Sequence, residues 1–195
     1  IKNAFKGVGK KAAKEGTEEA AEASIKKSLK NTVKESGKKS VAKLFNAIKK
    51  KLPTGVQKIL PDMADNIAEE AAEQASKKAA KEGTQNVLQM IPIVGQVLSV
   101  GFAVVDFTDG YTKASSILGI ENPTEGECII AGLVNALLGL AFPISLIPVK
   151  TLVTIVADKV LPAMGVDNTE FLEKRKSFAS KVSEYNSKNE TDYSV

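Results

Sequence analysis

The stretches GTQNVLQMIPIVGQVLSVGFAVV (residues 83–105) and CIIAGLVNALLGLAFPISLIPV (residues 128–149) contain no charged side chain, in a 195-residue chain that is 26% charged. As an unbroken helix each would reach about 33 Å, close to the thickness of a bilayer's hydrocarbon core. Prolines shorten both. Pro92 sets the start of a helix expected to end near Phe107, and Pro143 and Pro148 interrupt the second run. Its unbroken part, residues 128–142, would span only ~22 Å by helical rise.

Small residues recur along both runs. Gly95, Ser99 and Ala103 stand four apart, and Gly132, Ala136 and Gly139 follow a similar rhythm. Such ridges let two helix backbones approach closely, in lipid or in a dry protein core. Gln96 and Asn135 are the polar exceptions, placed to hydrogen-bond between helices. The residues expected to enter a membrane are Ile91, Val94, Gly95, Ser99, Ala103, Ile129, Gly132, Ala136 and Gly139.

Between the runs lies an acidic connector, residues 106–127, with Asp106, Asp109, Glu121, Glu125 and Glu127 against the single Lys113. Asn122-Pro123 reads as an N-cap followed by proline at the first helical position. A helix is expected to follow as far as Leu140, then another over residues 149–161, stopped by Pro162 and Gly165. A last amphipathic helix begins near Asn168 and aligns Phe171, Phe178, Val182 and Tyr185, with a frayed polar tail from Asn186.

Outward from the runs on the N-terminal side, residues 1–82 are rich in Lys, Ala and Glu, a composition that favours helix. They hold 19 Lys against 11 acidic residues, net +8, whereas residues 83–195 carry −4. Helices are expected over residues 1–15 and 17–35, with Thr17 as N-cap and a break at Ser36-Gly37. A third, capped by Ser40, carries Val41, Leu44, Phe45, Ile48 and Leu52 as its apolar stripe and ends at Pro53 and Gly55. Pro61 starts the next piece, through Glu82. The octapeptide KKAAKEGT occurs at residues 10–17 and 77–84, and EEAAE at 18–22 and 69–73; two copies in swapped order do not make a solenoid. Lys39, Lys43, Lys49, Lys50 and Lys51 are the lysines expected to dock on anionic lipid.

No stretch alternates like a strand. The chain therefore reads as all-α: amphipathic Lys/Ala-rich helices around a central hydrophobic helical pair. Three regions are expected, namely a basic arm (1–82), a hydrophobic core with the acidic connector (83–165), and a C-terminal helix with its tail (166–195).

Function classes are narrowed by what the composition lacks. There is no histidine and one cysteine, Cys128, which excludes an intramolecular disulfide, a Cys/His zinc site and histidine acid–base catalysis. No phosphate loop, dinucleotide fingerprint or nucleophile elbow is present. Asp106 and Asp109, three apart in an expected loop, are a weak pair for catalysis, and Cys128 reads as a small buried apolar residue. The reading is non-enzymatic and without cofactor. Only Arg175 among 27 cationic residues is arginine, and there is no Trp, so base-reading forks and stacking platforms are scarce and a nucleic-acid partner is not expected. The chain begins with Ile and has no hydrophobic leader, and so reads as a processed product or a fragment of a longer protein.

A lysine- and alanine-rich amphipathic region followed by a hydrophobic pair resembles the pore-forming domains of colicins. The stretches VVDFTDG (104–110), ASSILGI (114–120), AGLVNAL (131–137) and LIPVK (146–150) are similar to C-terminal toxin domains of Gram-positive polymorphic toxins, nearest to type VII-secreted membrane-depolarising toxins. The resemblance covers residues 90–155. It implies a secreted antibacterial effector that depolarises a target cell's membrane by forming a pore, possible assembly with further copies there, and a membrane immunity protein in the producer. The long acidic connector departs from the tight colicin hairpin. From the residues alone, a helical interaction module whose apolar helices stay buried in water is the alternative.

Overall fold

The computed structural model describes residues 18–82, 100–140 and 143–189. These form seven α-helices and two short 3₁₀ turns, with no strand among the described residues. The all-α expectation is met.

Helix α1 (Glu18–Ile48) and helix α2 (Thr54–Glu82) form an antiparallel hairpin, joined through a 3₁₀ turn at Lys49–Lys51. In α2, Val56, Leu60, Met63, Ala64, Ile67, Ala71, Ala75 and Ala79 are buried, spacings of three and four that draw one stripe along the helix. In α1, Leu29, Val33, Val41, Leu44, Phe45 and Ile48 are buried likewise. Outside the seam, Lys34 pairs with Glu69 and Lys38 with Asp65, each at 2.6 Å. Exposed pairs of this kind contribute roughly 0–1 kcal/mol each, so the seam is held mainly by its apolar stripe.

Two expected breaks are absent. The chain does not interrupt at Ser36-Gly37; α1 is continuous, and Gly37 is buried. A Cβ there would lie 3.3 Å from Pro143 Cγ and 3.5 Å from Ala68, so the glycine serves close packing rather than a turn. Pro61 does not start a helix but lies inside α2, on its exposed side. Proline removes one helical hydrogen bond, at a cost of about 3 kcal/mol or more. The buried Leu60 and Met63 on either side anchor the helix across it.

The remaining helices are α3 (Val100–Thr112), α4 (Ala114–Leu118), α5 (Glu125–Leu138), α6 (Val149–Ala163) and α7 (Thr169–Asn189), with a second 3₁₀ turn at Ile144–Leu146. Helix α6 runs through Pro162 instead of stopping before it, and α7 continues past Asn186. Helix α5 packs against both α3 and α6, and α6 lies along α2. At the hairpin's turn, a Cβ on Gly55 would come within 2.5 Å of the Ala163 carbonyl oxygen, which pins the turn to the end of α6. One contiguous apolar core runs from Leu29 in α1 to Phe171 in α7.

Candidate functional site: the α3–α5 pair and its acidic flank

Helix α5 is the most deeply enclosed element, with ten of its 14 residues buried, Ile129, Gly132 and Ala136 among them. Its start is set by Thr124, not by Asn122 as expected. Asn122 instead takes a left-handed conformation (φ 48°), and Thr124 closes a capping box. The Thr124 N–H donates to Glu127 Oε2 at 2.6 Å, and the Glu127 N–H donates to Thr124 Oγ1 at 3.4 Å. Two helix-start amides are thereby satisfied.

The small residues of α5 meet α3 at backbone distance. A Cβ on Gly132 would fall 2.8 Å from the Phe107 carbonyl oxygen, and one on Gly110 would fall 2.5 Å from Asn135 Cβ. A Cβ on Gly139 would meet the Asp106 carboxylate at 2.5 Å. Ala103 packs half-buried against the core beside this line. The Asn135 Nδ2 donates a 2.8 Å hydrogen bond to the Asp106 main-chain carbonyl. The ridge expected on the second apolar run is therefore a helix–helix contact. Ile91, Val94, Gly95 and Ser99, like Gln96 and the expected helices of residues 1–15, lie outside the described residues.

Two large apolar side chains near the start of α3 are exposed among the described residues. Phe102 is 71% exposed and Val105 is 62% exposed. The two stand three apart, on one side of the first turns of α3. Among the described residues no helix is long and apolar enough to cross a membrane. Helices α3 and α5 reach only about 20 Å each by helical rise.

The acidic connector is structured differently from the expected loop. Asp106 and Asp109 lie on α3, which continues to Thr112 because the helical register carries past Phe107. Asp109 pairs with Lys113 one turn on, at 2.7 Å. Glu121 pairs with Lys181 of α7 at 3.1 Å, both exposed. Glu125 is exposed in the first turn of α5, where a negative charge complements the helix dipole. Glu127 is buried and pairs with Lys174 of α7 at 3.3 Å. Cys128 is half-buried, and burial, followed by the charges of Glu127 and Glu125, pushes its thiol above the usual range. That is the opposite of an activated nucleophile.

The five lipid-docking candidates are all exposed. Lys39 and Lys43 lie one turn apart on α1, and Lys49, Lys50 and Lys51 crowd the turn of the hairpin. Among the described residues no group of Asp, Glu and Cys is arranged to hold a metal ion. What the sequence reading missed is the burial of Glu127 and its partner Lys174. The pattern T-x-x-E before an apolar run was visible and marks such a cap.

In comparisons with known proteins, no family model, no curated protein and no solved structure matches the chain.

Proposed function

We propose that this chain is a membrane-active domain that binds anionic lipid and inserts its central apolar helices into a target cell's membrane, depolarising it. The observation that carries the reading is the enclosed helix α5 in glycine-to-backbone contact with α3, whose first turns leave Phe102 and Val105 exposed among the described residues. Contact of this kind does not depend on water to hold it, and small-residue interfaces persist in lipid. The exposed lysines of the α1–α2 turn supply attraction to an anionic surface, on the order of 1 kcal/mol each near the headgroups. Ion pairs and caps hold Asp109, Glu121 and Glu127 in the folded bundle, and these must be broken or neutralised before the connector moves. In this reading the domain belongs to a secreted antibacterial toxin, with possible homo-oligomers in the membrane and a membrane immunity protein protecting the producer.

The second reading is a helical interaction module that never leaves water. The described helices favour it, since none of them is both long and apolar enough to cross a bilayer. Dye-loaded phosphatidylglycerol vesicles separate the two. Leakage on adding the purified chain supports insertion; intact vesicles at saturating protein, with the protein bound or not, support the module.

A further inference from the structure

Glu127 is the buried charged residue of the described core, 3% exposed. Its counter-charge comes from α7: Lys174 Nζ donates to both Glu127 oxygens at 3.3 Å and pairs with Glu170 at 3.1 Å. Burial acts to lower the Lys174 pKa, but the hydrogen bonds to Glu170 and Glu127 outweigh it and raise the value above the usual one.

Among the described residues, few other side chains of α7 reach into the core. Phe171 is the one side chain of α7 that is buried among those described. Phe178 lies half-buried on Gly119, where a Cβ would come within 2.7 Å of the ring. Gly119 also holds the left-handed conformation that ends α4 (φ 62°), so this seat for the ring needs glycine twice over. The Lys181–Glu121 pair is exposed and weak. Arg175 Nε is buried without a hydrogen-bond partner among the described residues, and burial pulls its guanidinium pKa down. Among the described residues, two rings, one buried ion pair and one exposed pair tie this long polar helix to the bundle, with one unsatisfied donor working against them.

We infer that α7 is a releasable strap, held over the start of α5 chiefly by the Glu127–Lys174 pair, and that neutralising Glu127 frees it while the rest of the bundle stays folded. Losing one partner of a buried pair is costly because the other charge is left stranded, yet Lys174 keeps Glu170 and can swing to water. The other groups around Glu127 reinforce this asymmetry. On its own helix stand Glu125 and the Cys128 thiol; α7 brings Lys174 and Glu170; Tyr111 of α3 feels Cys128 and Glu125; and α6 brings the apolar Leu161 and Met164 to Gly126. Lys174 is the cation placed to offset that acidic group. Local opening of a weakly packed element ahead of global unfolding is ordinary behaviour for a folded domain.

The strap's use as a trigger rests on the membrane reading above, whereas its release is measurable in water. By hydrogen–deuterium exchange of the full chain at pH 7.5, corrected for intrinsic rates, release reads as protection over residues 169–189 falling at least tenfold more than over α2 and α6. Glu127→Gln should produce this selective loss. Lys174→Met leaves the capping box intact and should do likewise, which keeps the test decisive if the first variant unfolds. Protection of α7 that is unchanged in Lys174→Met, or that falls in step with α6, overturns the strap. On phosphatidylglycerol vesicles the released variants should leak dye several-fold faster. Selective release without any leakage keeps the strap and overturns the membrane reading instead.

Discussion

The Asn135 side chain on α5 donates its amide hydrogen to the Asp106 carbonyl on α3, across 2.8 Å. It is the polar tie in a contact otherwise made by glycine, alanine and phenylalanine. Asn135→Leu should cost about 0.5–1.5 kcal/mol, the ordinary net worth of such a bond, read as a lower urea midpoint at unchanged slope.

The glycines of α3 and α5 should rank by what their missing Cβ would strike, Gly110 facing the partner helix and Gly126 facing α6. At Gly110 it meets Asn135 Cβ and a backbone carbonyl within 2.6 Å; at Gly126 it meets only Leu161 and Met164 side-chain atoms from 3.2 Å outward. Gly110→Ala should therefore destabilise by about 1–3 kcal/mol, and Gly126→Ala by clearly less. Equal losses for the two in thermal unfolding would show that α3 and α5 do not meet through their backbones.

Substituting Phe102→Asp together with Val105→Asp separates stability from lipid entry. Both side chains are exposed, so the folded protein should change by no more than about 0.5 kcal/mol per site. A charge carried into the bilayer centre costs at least about 2.5 kcal/mol, so vesicle leakage should fall tenfold or more. Unchanged leakage would place α3 outside the lipid-facing machinery.

Replacing Lys49, Lys50 and Lys51 by Gln should weaken binding to anionic vesicles by on the order of a hundredfold and leave neutral vesicles unaffected. Sedimentation with vesicles of each composition reads this directly.

The hairpin seam should carry an acid-sensitive contribution. The hydrogen bond from Lys34, followed by its charge, holds Glu69 below its ordinary value of 4.5. A lowered carboxylate contributes stability that is present above its unfolded pKa and lost as pH falls through the folded value. Glu69→Gln should thus lower the melting temperature at pH 7, with the gap to the wild type closing below about pH 4. A gap that persists at pH 2.5 would assign the effect to packing.

The all-α class was readable from the uncharged runs and the Lys/Ala-rich region. The small residues of 128–139 foretold a close helix partner, which α3 supplies largely through Asp106, Phe107 and Gly110 of the expected connector. Helix ends were less readable. Ser36-Gly37 looks like a stop in isolation, yet Gly37 is buried against Pro143 and Ala68, partners distant in sequence. Asn122-Pro123 has good cap chemistry, but Thr124 with Glu127 satisfies two amides where Asn122 would satisfy one. The burial of Glu127 was hidden because its counter-charge, Lys174, lies 47 residues away. Local patterns set the periods; long-range contacts decided where each helix starts, stops and hides a charge.

The uninterrupted α1 also acts as a length standard inside the molecule. Its 31 residues make a rod of about 46 Å. With Cys128 replaced, spin labels on Ser24 and Lys50 would bracket most of that rod. A spacing kept on membranes would mean that the bundle opens by hinging around an intact beam. A shortened one would mean that Gly37, released from Pro143, becomes the bend that it is not in water.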